Sequence, residues 1–158
     1  MTKLAIPTPV ITTIPVNGSE EVFPVRRVYC IGRNYADHVI EMGNDPKDSP
    51  IFFQKNSDNV DTSGKFPYPP QSNDVHHELE LVMALKSGGS NISEADAYKH
   101  IYGFAVGLDM TRRDLQAAAK KAGKPWEVGK AFERSAPMGT LTKIEESGNM
   151  DSGKITLT

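Results

Sequence analysis

Two glutamates set inside an apolar run constrain this chain more than any other feature, in the segment His76-His77-Glu78-Leu79-Glu80-Leu81-Val82-Met83-Ala84-Leu85. The segment reads as a strand, and strand side chains alternate between faces. Glu78 and Glu80 then share a face with His76, while His77, Leu79 and Leu81 take the other, and Val82 to Leu85 continue as an unbroken apolar stretch. At about 5 Å and an effective dielectric of about 20, two such carboxylates repel by roughly 3 kcal/mol before any desolvation. A positive partner is therefore expected between them. The same pattern also fits a half-exposed strand with two solvated glutamates.

A third carboxylate favours the first reading. Ile101-Tyr102-Gly103-Phe104-Ala105-Val106-Gly107-Leu108-Asp109 is a second apolar strand with an acid at its C-terminal end, where Thr111-Arg112-Arg113-Asp114 opens a helix. Glu78, Glu80 and Asp109 without a nearby thiolate form a hard, all-oxygen ligand set suited to Mg²⁺ or Mn²⁺, with Ca²⁺ also compatible. His76 fits either as a ligand or, better, as a hydrogen-bond partner behind the ligands. Asp109 also fits a helix cap.

Further motifs follow in a fixed order. They are Tyr29-Cys30-Ile31-Gly32-Arg33-Asn34-Tyr35-Ala36-Asp37-His38-Val39-Ile40-Glu41-Met42-Gly43, His77-Glu78-Leu79-Glu80, Asp109-Met110-Thr111-Arg112-Arg113-Asp114-Leu115-Gln116 and Gly129-Lys130-Ala131-Phe132. In this order the chain, over roughly residues 22–158, resembles the fumarylacetoacetate hydrolase family, and within it the smaller bacterial enzymes that cleave acylpyruvates.

The resemblance implies that Glu78, Glu80 and Asp109 bind the divalent metal, and that His38 and Glu41 form a water-activating dyad on a short lid helix. Their spacing of three, closed by Gly43, puts His38 and Glu41 on one helix face, where a carboxylate can orient an imidazole; an exposed, solvated His–Glu pair has the same spacing. Lys130 matches the family's substrate-facing lysine, and Arg33, Arg113 and Gln116 match substrate-contacting positions. Each also has an ordinary reading as a solvated surface residue. Lys55 matches a substrate-binding family lysine usually followed by proline, whereas Asn56 follows here.

Composition fits a small globular enzyme with one core: 158 residues, 38% hydrophobic, 24% charged. With 18 basic and 20 acidic residues the net charge is −2, and no basic cluster draws nucleic acid. Cys30 is the only cysteine, so no internal disulfide forms, and a packed thiol in a reducing compartment is expected. Pro7, Pro9 and Pro15 interrupt any signal-peptide helix, and no run has membrane-spanning length, so the expected location is cytoplasmic, without a membrane partner.

Residues 1–21 read as an extended proline-rich arm and 22–158 as the catalytic domain. A strand is expected near Arg26–Ile31, a turn-rich loop over Asn44–Pro50, and a long connector over Asn56–Asp74. Ser93-Glu94-Ala95-Asp96 resembles a capping box opening a short helix, and Thr111 with Asp114 a second one before a helix ending at Gly123. Thr140–Ile144 and Lys154–Thr158 read as strands. Strands and short helices without βα alternation predict an α+β fold with a strand-dominated core. The resemblance implies a mixed β-roll paired as a homodimer, and a domain incomplete at its C-terminus, because family members continue with further strands.

The chemistry so implied is hydrolysis of a carbon–carbon bond in a 2,4-dioxo acid, with fumarylpyruvate giving fumarate and pyruvate in aromatic-compound breakdown. The rivals are oxaloacetate decarboxylation or isomerisation of related diacids, and an inactive metal-binding fragment.

Overall fold

The computed structural model describes residues 3–32, 34 and 49–157. The strands in chain order are β1 (Thr13–Pro15), β2 (Val22–Pro24), β3 (Val28–Gly32), β4 (Ile51–Lys55), β5 (Val60–Asp61) and β6 (Val75–His76). They continue as β7 (Leu79–Leu85), β8 (Ile101–Leu108), β9 (Thr111–Arg112), β10 (Ala136–Pro137) and β11 (Thr142–Lys143). Short helices lie at Glu94–Ala97, Arg113–Lys121, Glu127–Lys130 and Ile144–Ser147. Among the described residues strands dominate and no βα alternation appears, as the α+β expectation requires.

The antiparallel pair β7–β8 is the centre of the described chain, and β11 adds to the other edge of β8. Its register sets Glu80 opposite Gly107, Val82 opposite Ala105 and Ala84 opposite Gly103. These residues share one face, and Ala84 and Ala105 pack there into a core with Ile14, Val60, Ala136 and Leu141. The small side chains have a steric reason. A Cβ on Gly103 would stand 2.1 Å from the Thr142 carbonyl oxygen, so only glycine lets β11 lie against β8. On the other face Leu81, Met83 and Val106 remain exposed.

Three expectations are corrected by this packing. The arm over residues 1–21 is not separate: β1 pairs antiparallel with β2 through a turn containing Gly18 at φ +64°, and Ile14 and Val16 are buried. The Leu141 N–H donates to the Pro15 carbonyl (2.9 Å) and the Asn17 N–H to the Leu141 carbonyl (2.7 Å), which ties the hairpin to the core. The strand read over His76–Leu85 is broken at His77 and Glu78, because β6 pairs with β9 whereas β7 pairs with β8. Lys154–Leu157 forms no strand; alternation alone does not make one without a partner to satisfy its backbone.

Helix ends follow local chemistry. Arg113–Lys121 stops where Gly123 takes φ +62°, with the Lys124 N–H donating to the Ala119 carbonyl (2.9 Å) and Lys120 and Lys121 in the last turn. Its start carries no Thr111 cap. Asp114 instead accepts from the Ser72 hydroxyl (2.7 Å) and the Asn73 N–H (3.1 Å), so it anchors the incoming loop.

Asp61 ends β5 beside the parallel strand β10, where Arg134, at φ +56°, donates from Nε to its carboxylate and from Nη2 to the Ser63 hydroxyl (2.7 Å) and the Lys65 carbonyl (3.1 Å). The Arg134 guanidinium holds the Asp61 carboxyl down to about 2. A depressed carboxylate stabilises the fold above its unfolded value, near 3.9, and that contribution is lost as pH falls through the folded value. In urea unfolding, the stability gap between the wild type and Arg134→Met is expected to narrow between about pH 4 and pH 2. A gap that is constant over that range would show that the ion pair adds nothing beyond the neutral hydrogen bonds.

Candidate active site

Three chain segments meet at one ammonium. Lys130, buried at the end of the helix Glu127–Lys130, donates from Nζ to Glu78 Oε2, Asp109 Oδ2 and Thr111 Oγ1, each at 2.7 Å. An ammonium has three protons, so this one is saturated. The backbone builds the meeting point. The Asp109 N–H donates to the Glu78 carbonyl (2.8 Å), and the Met110 N–H to the Ser135 carbonyl (3.0 Å), which fixes the turn after β8. Gly129 lets its helix touch the helix Arg113–Lys121, since a Cβ there would lie 2.9 Å from the Gln116 backbone nitrogen.

A second buried lysine closes the cluster from β4. Lys55 Nζ lies 2.9 Å from Asp109 Oδ1 and donates to the carbonyls of Met110 (3.1 Å) and Lys130. Burial pushes its ammonium down from the usual lysine value, and Asp109 opposes that shift. Asp109 Oδ1 is buried and, although in ion-pair range of Lys55, accepts no hydrogen bond of good geometry.

Arg113 approaches from the solvent side. Its guanidinium donates to Glu78 and to Gln116 Oε1, and its Nε to His76 Nδ1 at 3.4 Å, while His76 Nε2 is 2.9 Å from Asp74. Burial raises the Glu78 carboxyl, but Lys130 and Arg113 outweigh it and hold the group below the ordinary glutamate range.

The structure thus brings Glu78, Asp109, Lys130, Lys55, Arg113 and Gln116 into one network. The expected convergence of three carboxylates is not seen: Glu78 and Asp109 meet, and among the described residues no three His, Cys, Asp or Glu side chains form a metal-ligating group. The break before β7 explains this, because Glu78 leaves the strand whose alternation was to align it with Glu80. Glu80 stays on the core-side face of β7, opposite Gly107. Its charge, like those of Asp109, Lys55 and Lys130, is felt at Cys30. His76 stands behind Arg113. Arg33, His38 and Glu41 lie outside the described residues.

The donor set suits a hard cation. Burial, reinforced by Asp109, pushes the Cys30 thiol up to about 12, so it stays protonated and leaves carboxylate oxygens as the anionic donors. The orphaned Asp109 Oδ1 and the shared approach of Glu78 Oε2 and Asp109 Oδ2 to one cation fit a divalent ion. A surface depression of about 350 Å³ between Arg26, Arg27, Gln54 and Lys55–Asp58 shares only Lys55 with this network.

Thr111 was missed by sequence reasoning. It reads as a helix cap, yet it is fully buried, accepts from Lys130 and donates to the Asp109 carbonyl (3.2 Å). Its place between Met110 and Arg112 carries no periodic signal that distinguishes the two roles.

Known proteins share this arrangement of segments. The chain is 46% identical to a fumarylpyruvate hydrolase from Pseudomonas aeruginosa, solved in complex with Mn²⁺ and pyruvate, with a TM-score of 0.88 over 92% of this chain and 65% of that one. Among curated relatives, an oxaloacetate tautomerase of Caenorhabditis elegans is 39% identical over 78% of this chain and 58% of its own length. An oxaloacetate tautomerase of Escherichia coli is 36% identical over 85% of this chain and 63% of its own. The chain therefore spans about three fifths of the length of these relatives. The family model of the fumarylacetoacetate hydrolase C-terminal domain matches residues 27–158, which include every described residue of the Lys130 network. On that match, and on these relatives, the chain belongs to the fumarylacetoacetate hydrolase family.

Proposed function

We propose that this chain serves a metal-dependent hydrolase that cleaves a carbon–carbon bond in 2,4-dioxo acids, with fumarylpyruvate to fumarate and pyruvate as the favoured case. The observation that carries the reading is the meeting of Glu78 Oε2, Asp109 Oδ2 and Lys130 Nζ beside the Arg113–Gln116 pair. It supports the reading because two carboxylates able to donate to a metal, a buried cation and an arginine able to bind a carboxylate in bidentate fashion lie side by side. Likeness to a fumarylpyruvate hydrolase solved with Mn²⁺ and pyruvate supports it.

Glu78, Glu80 and Asp109 are the residues proposed to hold Mn²⁺ or Mg²⁺. Such an ion, when bound, supplies Lewis-acid polarisation of the 2-oxo acid and offsets the negative charge of the departing pyruvate enolate. Arg113 and Gln116 orient the substrate carboxylate, and Lys130, its protons held by Glu78, Asp109 and Thr111, offsets through its charge the negative charge that develops on the enolate oxygen. His38, oriented by Glu41, takes a proton from water, whose oxygen attacks the 4-carbonyl. The bond between carbons 3 and 4 then breaks and carbon 3 is protonated, giving one acid and pyruvate.

The names of the curated relatives favour a second reading, in which the same enolate stabilisation serves oxaloacetate tautomerisation or decarboxylation without an attacking water. Rates on fumarylpyruvate, acetylpyruvate and oxaloacetate with Mn²⁺ or Mg²⁺ separate the two. Metal-dependent pyruvate release, fastest from fumarylpyruvate, is expected. Turnover of oxaloacetate alone would support the second reading, and no turnover of any would mark this chain as inactive. A homodimer is proposed with it, supported by the exposed Leu81, Met83 and Val106 on one face of β7–β8.

A further inference from the structure

We infer that Lys55 is a positioning residue, holding the Asp109 carboxylate and the Lys130 peptide in one frame for the site's divalent ion, and not a substrate contact. This rests on the metal reading above. Lys55 is 3% exposed, and its ammonium donates to the Met110 carbonyl (3.1 Å) and the Lys130 carbonyl and pairs ionically with Asp109 Oδ1 (2.9 Å), so it faces the framework of the site and not solvent. Those three partners are the substance of the site. One is a carboxylate oxygen of a proposed ligand, the second is the peptide that follows that ligand, and the third is the peptide of the lysine that bridges the two carboxylates.

The clamp reaches across the chain from β4 to segments 55 and 75 residues away, and further contacts stiffen it. Ser135 Oγ donates to the same Lys130 carbonyl (3.1 Å), and the Phe132 ring lies 5.6 Å from Lys55 Nζ. With Lys55 Nζ 2.9 Å from Oδ1 and Lys130 Nζ 2.7 Å from Oδ2, an ammonium stands at each oxygen of the Asp109 carboxylate, which favours one rotation of the group. A carboxylate free to rotate loses that preorganisation, and removing a partner that orients a metal ligand weakens metal affinity by about 10–100-fold.

Electrostatics alone predicts the opposite sign, because an ammonium beside a ligand oxygen repels a dication. The direction of change therefore separates positioning from mere charge. The test is calorimetric titration of Mn²⁺ into the folded wild type, Lys55→Met and Lys55→Gln, with circular dichroism melts run in parallel. Lys55→Gln keeps amide donors for the two carbonyls while removing the charge from Asp109. The expected result is a Kd raised at least tenfold in any variant that melts cooperatively. An unchanged or lowered Kd in a folded variant would overturn the inference, as would failure of both variants to fold, since Lys55 would then be a structural residue only. Absence of Mn²⁺ binding by the wild type would instead sink the metal reading and this inference with it, whereas wild-type binding with unaltered variants sinks this inference alone.

Discussion

Lys130→Met is expected to destabilise the fold by about 3 kcal/mol, the low end of the range for breaking a buried ion pair. The low end applies because each carboxylate keeps a second cation: Arg113 on Glu78, and Lys55 on Asp109. For a chain of this size that corresponds to a fall in Tm of roughly 6–12 °C. The loss is also pH-dependent. Glu78 is held below its ordinary range by Lys130 and Arg113 against burial, so its stabilisation is complete above the unfolded glutamate value and fades as pH falls through the folded one. The gap between wild type and Lys130→Met should accordingly be widest near neutrality and shrink on acidification below about pH 4. Urea midpoints from pH 3 to pH 7 measure it. An unchanged midpoint at pH 7 would mean that the ammonium does not hold the two carboxylates together.

The second large effect concerns the water-activating step. With hydrolysis as the chemistry, His38→Ala should lower acylpyruvate turnover by about 10²- to 10⁴-fold, the span of general-base catalysis, with Mn²⁺ affinity unchanged. Oxaloacetate tautomerisation or decarboxylation, which uses no attacking water, should fall far less in the same variant. Parallel loss of Mn²⁺ binding would make His38 a ligand instead of a base.

Much of the site was legible because its residues sit in strong local patterns. Asp109 closes an apolar strand, and β8 does end at Leu108 as the run of apolar residues predicts. Lys130 and Arg113 were placed by ordered motifs, and the structure brings both to Glu78. What failed was continuity of alternation. Glu78 and Glu80 are two residues apart, but Glu78 falls in the gap where backbone pairing changes from β9 to β8, and a period of two carries over only within one strand.

Residue types and spacings determined the α+β class, the apolar β7 and β8 segments, the helix stop at Gly123 and the chemical character of the site: carboxylates, two lysines and an arginine. Tertiary structure decided which charges meet. Lys55 and Lys130 look alike as sequence, yet one is spent on backbone carbonyls and Asp109 while the other bridges Glu78, Asp109 and Thr111. It also drew Ile14 and Val16 out of a proline-rich arm into the core. Propensity and periodicity act over a few residues, whereas buried charge is satisfied by whichever partner the packed chain delivers, here from segments up to 75 residues apart.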